Sequence, residues 1–417
     1  MHISQRYLDL TKQKLELTRL PREPRFLQGH VEFGVSKSEL EPLIDHWLER
    51  YDWKGEETAI NDALPQFRLP VNGTRLHFVH KRSTLSRVTP LLFVHGWPDS
   101  FLSVSKVIDA LCDPIMTPPH GDENAMSFHV VAPSSPGFGF SEALPEEGNN
   151  LQMTADMLDG LMKALGYKTY MVHGSGWGFK ICRAMALRHP QSVIAIHTAN
   201  PDVPPPRPGL AYNTDDVTLS ALSMHSPQSP SFPTQGSYTP HGSPRRRMST
   251  TERPQTLSFA LADSPAGLLA FVYDLIRPPI PPSGHSMPTH SGQRNFGLSA
   301  LQNPWTPTTL INWTMMHWLP GPEVALRWLT NSRAIVSTLW LSFSNVPIGI
   351  SHFQDPTAGD TSPMGPIALT WTEAYHRVLM VRRREGRVRF PAWERPAELV
   401  VDIRELADVL TRARIDA

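Results

Sequence analysis

The feature that most constrains the fold is a change of hydrophobic pattern near residue 90. From there on, short runs of consecutive apolar residues alternate with stretches whose apolar residues recur at helical spacing. The short runs are Pro90-Leu-Leu-Phe-Val94, Phe128-His-Val-Val131, Tyr170-Met-Val172 and Val193-Ile-Ala-Ile196, with helices expected at 100–111, 151–165 and 179–188. A strand that is apolar at successive positions is buried on both faces, and such strands joined through helices imply a parallel α/β sheet. Upstream, Asn72-Gly73 between 67–71 and 75–80 predicts a hairpin with a two-residue turn. The residues before it read as helices. Leu8, Leu10, Leu15 and Leu17 recur near helical spacing, and Ser36 is placed to cap a helix, with Glu39 completing a capping box.

After His197 the alternation stops. Proline is unusually abundant, at 41 of 417 residues, about twice the ordinary share near 5%. Many prolines gather with serine in 201–254 and 278–292, segments that cannot build a packed core and read as loop insertions. Helical patterns lie between and after them at 261–276, 308–319 and 323–329. The sheet resumes at 346–350, and an amphipathic helix over 396–417 closes the chain. The expected organisation is a helical N-terminal domain at 1–65, a first part of the α/β core at 66–200, a helical lid with Pro/Ser-rich insertions at 201–340, and the rest of the core at 341–417.

Charge and cysteine content exclude several classes. Lys+Arg equals Asp+Glu at 39 each, so the chain lacks the basic surplus that nucleic-acid binding by bulk charge requires. No apolar run approaches the length of about 20 residues that spans a bilayer. Two cysteines, Cys112 and Cys182, cannot form a disulfide framework, so a soluble cytoplasmic protein is expected. The run Arg382-Arg-Arg384 with Arg387 and Arg389 reads as a solvated face rather than a nucleic-acid patch. No cofactor or metal is expected, and homodimerisation is left open.

Several motifs then occur in a specific order: Arg19-Leu-Pro21, Tyr51-Asp-Trp53, Leu64-Pro-Gln-Phe67, His95-Gly-Trp-Pro98, Ser135-Pro-Gly-Phe-Gly-Phe-Ser141, Gly174-Ser-Gly-Trp-Gly178, Arg253-Pro-Gln-Thr-Leu257 with Asp263-Ser-Pro265, and Phe390-Pro-Ala-Trp-Glu-Arg-Pro396. Together they resemble the epoxide hydrolases of the microsomal type, over nearly the whole chain. The resemblance implies an α/β-hydrolase fold with a helical lid insertion and a helical N-terminal domain. It also implies a mechanism in which an Asp on a sharp strand-to-helix turn attacks the epoxide, and a His-activated water hydrolyses the resulting ester while an acid orients the His. Carried over residue by residue, the nucleophile position holds Gly176 and the base position holds Arg389, which stays protonated near neutral pH. Asp355 stands one place before the acid position, which is Pro356. In the lid, Leu329 occupies the place of one of the family's tyrosines; the other would fall near Arg245-Arg-Arg247, with Tyr238 a remote substitute.

The resemblance also implies what survives. The backbone amides of Trp97 and Trp177 form the oxyanion hole in relatives, and His95, Pro98, Trp318 and Leu329 would line the substrate pocket. Four histidines, His95, His173, His197 and His352, follow expected strand ends. His95 and His197 read as positioning residues, whereas His173 and His352 are candidate substitute acid/base groups. Ser175 is a poor alternative nucleophile, because His173 and Trp177 would flank it where a tight elbow needs small residues. Arg389 would make the pocket more cationic and suit an anionic group, or it would be held by surface carboxylates. The expectation is an epoxide hydrolase-like protein with an apolar small-molecule ligand, in which covalent epoxide hydrolysis is absent or very slow. The alternatives are a catalytically dead binding protein and a repurposed cyclase or isomerase of secondary metabolism.

Overall fold

The computed structural model describes residues 1–23, 34–116, 125–145, 148–206, 253–277, 304–354, 366–386 and 388–415. Three helices come first: α1 (Gln5–Glu16), α2 (Lys37–Glu49) and α3 (Trp53–Ala63). The capping box at α2 is as expected. The Ser36 hydroxyl accepts the Glu39 N–H at 3.3 Å and the Glu39 carboxylate accepts the Ser36 N–H at 2.8 Å, satisfying donors that a helix start leaves open. In α1 the leucines do not share one face: Leu15 is buried, while Leu10 and Leu17 are exposed.

The hairpin β1 (Gln66–Val71) and β2 (Thr74–Lys81) pairs Val71 with Thr74 across the expected turn. There follow β3 (Val88–Val94), α4 (Ile108–Cys112), β4 (Ser127–Pro133), α5 (Leu151–Ala164), β5 (Tyr170–Gly174), α6 (Trp177–Arg188) and β6 (Val193–Ala199). The lid consists of α7 (Pro254–Asp263), α8 (Pro265–Ile276), α9 (Pro307–Trp318) and α10 (Glu323–Ile335). The core is completed by β7 (Ser344–Gln354), α11 (Pro366–Glu373), β8 (His376–Glu385), α12 (Pro391–Glu394) and α13 (Pro396–Ile415).

One sheet has the strand order β1-β2-β4-β3-β5-β6-β7-β8, with β2 antiparallel to both neighbours and every pairing from β4 to β8 parallel. The central strands are apolar and buried because helices cover both faces. The strand β3 lies between β4 and β5, so the chain leaves it in one direction and returns on its other side. The crevice beyond the carboxyl ends of β3 and β5 is therefore the switch point at which open α/β sheets take ligands.

Three expectations need correction. The single helix expected at 261–276 is two, α7 and α8, bent by 118°. Pro265 ends hydrogen bonding to α7, and the Ser264 hydroxyl caps α8 by accepting the Gly267 N–H at 2.9 Å. The stretch 100–111 is a 3₁₀ turn, Phe101–Lys106, followed by the short α4. The basic run is not a purely solvated face. Arg382 to Arg384 lie on β8, where Arg382 pairs with Glu405 and Arg384 with Asp402, both on α13.

The N-terminal helices rest on the lid. The Tyr51 hydroxyl donates to Asn312 at 2.6 Å, the Asn312 amide donates to Glu56 at 2.6 Å, and His46 lies 3.0 Å from the Thr308 hydroxyl. Both cysteines are buried free thiols. Among the described residues no single helix is long and apolar enough to cross a membrane. Most of 201–254 and all of 278–292, with Tyr238 and Arg245-Arg-Arg247, lie outside the described residues.

Candidate active site

The site is built on the elbow between β5 and α6. Only Ser175 and Gly176 separate the last residue of β5 from the first of α6, and Gly176 takes φ 55°, ψ −117°, a conformation L side chains resist. The flanking glycines are required by contact. A Cβ on Gly174 would lie 2.5 Å from the Gly178 carbonyl carbon, and one on Gly178 would lie 2.4 Å from the Val94 oxygen. Strands β3 and β5 and helix α6 thus touch through backbone, as a nucleophile elbow demands. A Cβ on Gly176 itself would meet nothing within 4 Å. The apex points into open space with no side chain on it.

That space is a cavity of about 560 Å³. Its apolar wall includes Phe93, Val94, Trp97, Phe271, Leu275 and Phe390. The loop leaving β3 forms one side. A Cβ on Gly96 would lie 3.0 Å from the Ser175 oxygen and 3.5 Å from the Trp177 nitrogen, so this loop packs directly on the elbow. The Pro98 carbonyl accepts a 2.8 Å hydrogen bond from His317 of α9, tying the loop to the lid.

Of the residues singled out from sequence, Gly176, Arg389, His173, Trp97, Trp177 and Pro98 all line this cavity. Arg389 arrives through Asn200, which follows β6 with φ 45° and whose amide donates to the Val388 oxygen at 3.2 Å. The Arg389 backbone N–H donates to Glu394 at 2.7 Å. Ser175 also lines the cavity, but among the described residues its buried hydroxyl has no hydrogen-bond partner and hence no base to activate it.

Other candidates are not brought together there. His352 is on β7, one residue after Ser351; with the strand's period of two it faces away from the side on which Ser351 meets His197. His95 is buried outside the cavity lining. Its Nε2 accepts the Ser135 N–H at 3.0 Å, leaving Nδ1 to donate to the Gly96 oxygen at 2.9 Å, so both nitrogens serve the loop. Burial lowers its pKa to about 4. Trp318 turns toward the N-terminal domain, donating to Thr11 at 2.8 Å, and Leu329 is a fully buried core residue of the lid. His173, His197 and His352 lie inside β5, β6 and β7 rather than after them. Asp355 lies outside the described residues.

The lining carries charge of both signs, with Lys180, Arg333 and Arg389 beside Asp99, Asp202 and Asp274. Lys180 is 3.2 Å from Asp202, and Asp274 is 2.6 Å from Arg277. Asp99, which sequence reasoning missed, stands directly after the His-Gly-Trp-Pro loop. It accepts the Ser100 N–H at 2.7 Å, lies half-buried at the cavity wall, and is pushed up to about 7 by desolvation. Its signal in the sequence was a carboxylate adjoining the loop expected to hold the oxyanion. Among the described residues no group of three or more His, Cys, Asp and Glu side chains is arranged to hold a metal ion.

The geometry agrees with the relatives this chain resembles. The family described as epoxide hydrolase N terminus matches residues 1–104, and the α/β hydrolase fold matches 89–340. An epoxide hydrolase homologue of Stigmatella aurantiaca is 28% identical over 405 residues, 94% of this chain and 80% of that one. Juvenile hormone epoxide hydrolase 2 of Ctenocephalides felis is 28% identical over 334 residues, 75% of this chain but only 64% of that relative's length. The Aspergillus niger epoxide hydrolase structure has the same fold, with a TM-score of 0.72 at 21% identity, covering 98% of this chain and 95% of that one. From the elbow, the lid and these matches together, the chain belongs to the epoxide hydrolase family of α/β-hydrolases.

Proposed function

We propose that the protein takes an apolar small molecule bearing an epoxide, or a similar polarised oxygen, into the cavity between elbow and lid, and that it forms no ester with it. The observation that carries this reading is Gly176. The turn, the close-packed glycines and the open space of an attacking carboxylate are all present, and the carboxylate is not. At the position that resemblance assigns to the base, Arg389 cannot accept a proton near neutral pH. The amides of Trp97 and Trp177 are the donors for the ligand oxygen. Trp177 opens α6, where first-turn N–H groups have no partner in the helix and the dipole favours negative charge.

Trp97 and Trp177 line the cavity, so their fluorescence reports its occupancy. Titration with styrene oxide, an apolar aryl epoxide, should give a saturable change in tryptophan emission. Intact-protein mass spectrometry of the same mixture should find no added mass. An ester on the chain, or no saturable binding of any apolar epoxide tried, sinks the reading. Binding without turnover would select the binding protein among the alternatives.

A further inference from the structure

Four buried side chains run in line from the cavity to the closing helix. His173 and His197 are register partners on β5 and β6, with their Nδ1 atoms 3.0 Å apart. His197 Nε2 is 3.2 Å from the Ser351 hydroxyl, which donates to the Asp402 carboxylate at 2.6 Å. Arg384 holds Asp402 through Nε at 3.3 Å and through Nη2. None of the four is more than 3% exposed.

Counting protons fixes the direction of each bond. A hydroxyl has one proton, and Ser351 gives it to the carboxylate, so toward His197 it can only accept. His197 Nε2 therefore carries a hydrogen. Burial lowers both imidazoles, His197 to about 3 and His173 well below the ordinary value, so each ring is neutral with a single N–H. His197 Nδ1 is then an acceptor, and His173 must supply the hydrogen of the 3.0 Å bond from its own Nδ1. What is left on His173 is Nε2 with its lone pair, on a side chain that lines the cavity with Gly176 and whose ring also meets the His197 backbone.

On the reading that an epoxide occupies this cavity, we infer that His173 Nε2 is the proton acceptor for a water that opens the ring directly, with His197, Ser351 and Asp402 as the positioning residues that fix its tautomer. The water oxygen bonds to a ring carbon, the bond from that carbon to the ring oxygen breaks, and one water proton passes to His173 Nε2. The ring oxygen, received by the Trp97 and Trp177 amides, takes its proton from the Asp99 carboxyl. The product is a vicinal diol. The histidinium and carboxylate left behind return to their starting forms by exchange with solvent. Asp99 is suited to this because no cation pairs with it among the described residues, and its burial keeps the acid form populated near neutral pH.

The test begins without any substrate. Nitrogen-15 NMR of the histidine rings in the unaltered protein should show His173 protonated at Nδ1 and bare at Nε2, and His197 the reverse. Ser351→Ala removes the acceptor behind His197 and should invert both tautomers. Single-turnover hydrolysis of styrene oxide in ¹⁸O-water should put label into the first diol formed. His173→Gln should slow that step by about 100-fold or more, the low end of what a positioned base contributes, with styrene oxide affinity by tryptophan emission unchanged. Ser351→Ala should lower kcat with KM held. The inference is overturned by an Nε2–H tautomer on His173, by undiminished turnover in His173→Gln, or by an unlabelled first diol. Binding of styrene oxide without turnover also overturns it while leaving the binding reading intact, whereas failure to bind removes both.

Discussion

His77, His95, His197 and His317 are each enclosed by protein, and burial lowers their pKa values to about 3, 4, 3 and 4 respectively. The unfolded chain, with ordinary histidines, binds more protons than the folded one between those values and about 6.5. Stability contributed by these rings is complete above about 6.5 and is lost as the pH falls through that window. Asp99 acts in the opposite sense. Its folded pKa is raised to about 7, so its contribution is complete below the unfolded value near 3.9 and is lost as the pH rises toward 7. Urea midpoints at pH 4, 6 and 8 should therefore rise from 4 to 6, and Asp99→Asn should gain on the parent more at pH 8 than at pH 4. A parent more stable at pH 4 than at pH 6 would contradict the histidine account. Position 99 also shows where legibility stops for a single residue. Its neighbourhood was readable, but its desolvation depends on packing between segments distant in sequence.

At the scale of elements, the features readable from sequence were those decided by near neighbours. The Ser36 cap, the Asn72-Gly73 hairpin and the strands from β3 to β6 all follow from residues within one turn or one strand. The features missed were decided by partners far along the chain. β8 follows its short apolar run, Val378 to Val381, with Arg382 to Arg384, and those arginines belong to the strand because β7 pairs with them and α13 supplies the acids. Helix α6 is fastened in a similar way. Arg183 is fully buried, with no carboxylate paired to it among the described residues. It donates to the Leu339 oxygen at 2.7 Å, the Ser342 oxygen at 2.8 Å and the Tyr375 oxygen at 3.2 Å, with its guanidinium 4.5 Å from the Trp340 ring centre. Burial lowers its pKa to about 9. Arg183→Met removes the donors of the Leu339 and Ser342 oxygens, while the Tyr375 oxygen keeps its bond from the Ser344 N–H, and at about 1–3 kcal/mol for a buried unbonded group it should destabilise the protein by about 2–4 kcal/mol. Equilibrium urea unfolding checks this, and a loss under about 1 kcal/mol would show that those carbonyls find other donors.

Across the whole molecule, the N-terminal helices act on the site through the lid. Tyr51 and Glu56 hold Asn312 on α9, and five residues further on His317 holds the Pro98 carbonyl beside Trp97. Asn312→Ala breaks both N-terminal contacts and should cost about 1–3 kcal/mol. Amide exchange in α9 and in the loop after Pro98 should accelerate together. Acceleration in α9 alone would show that the two are not mechanically linked. The sequence by itself determined a parallel α/β sheet with a helical insertion, because strand period and turn chemistry are local, and the resemblance of its motifs implied the hydrolase class, the elbow and the residue at its apex. Only the tertiary structure decided which candidates share the cavity. It kept His173 and Arg389, turned His352, Trp318 and Leu329 away, added Asp99, and joined His173 to Asp402. The reason is physical. Which face a strand residue presents, and which ionisable groups are desolvated together, depend on the register and packing of strands and helices that lie more than a hundred residues apart.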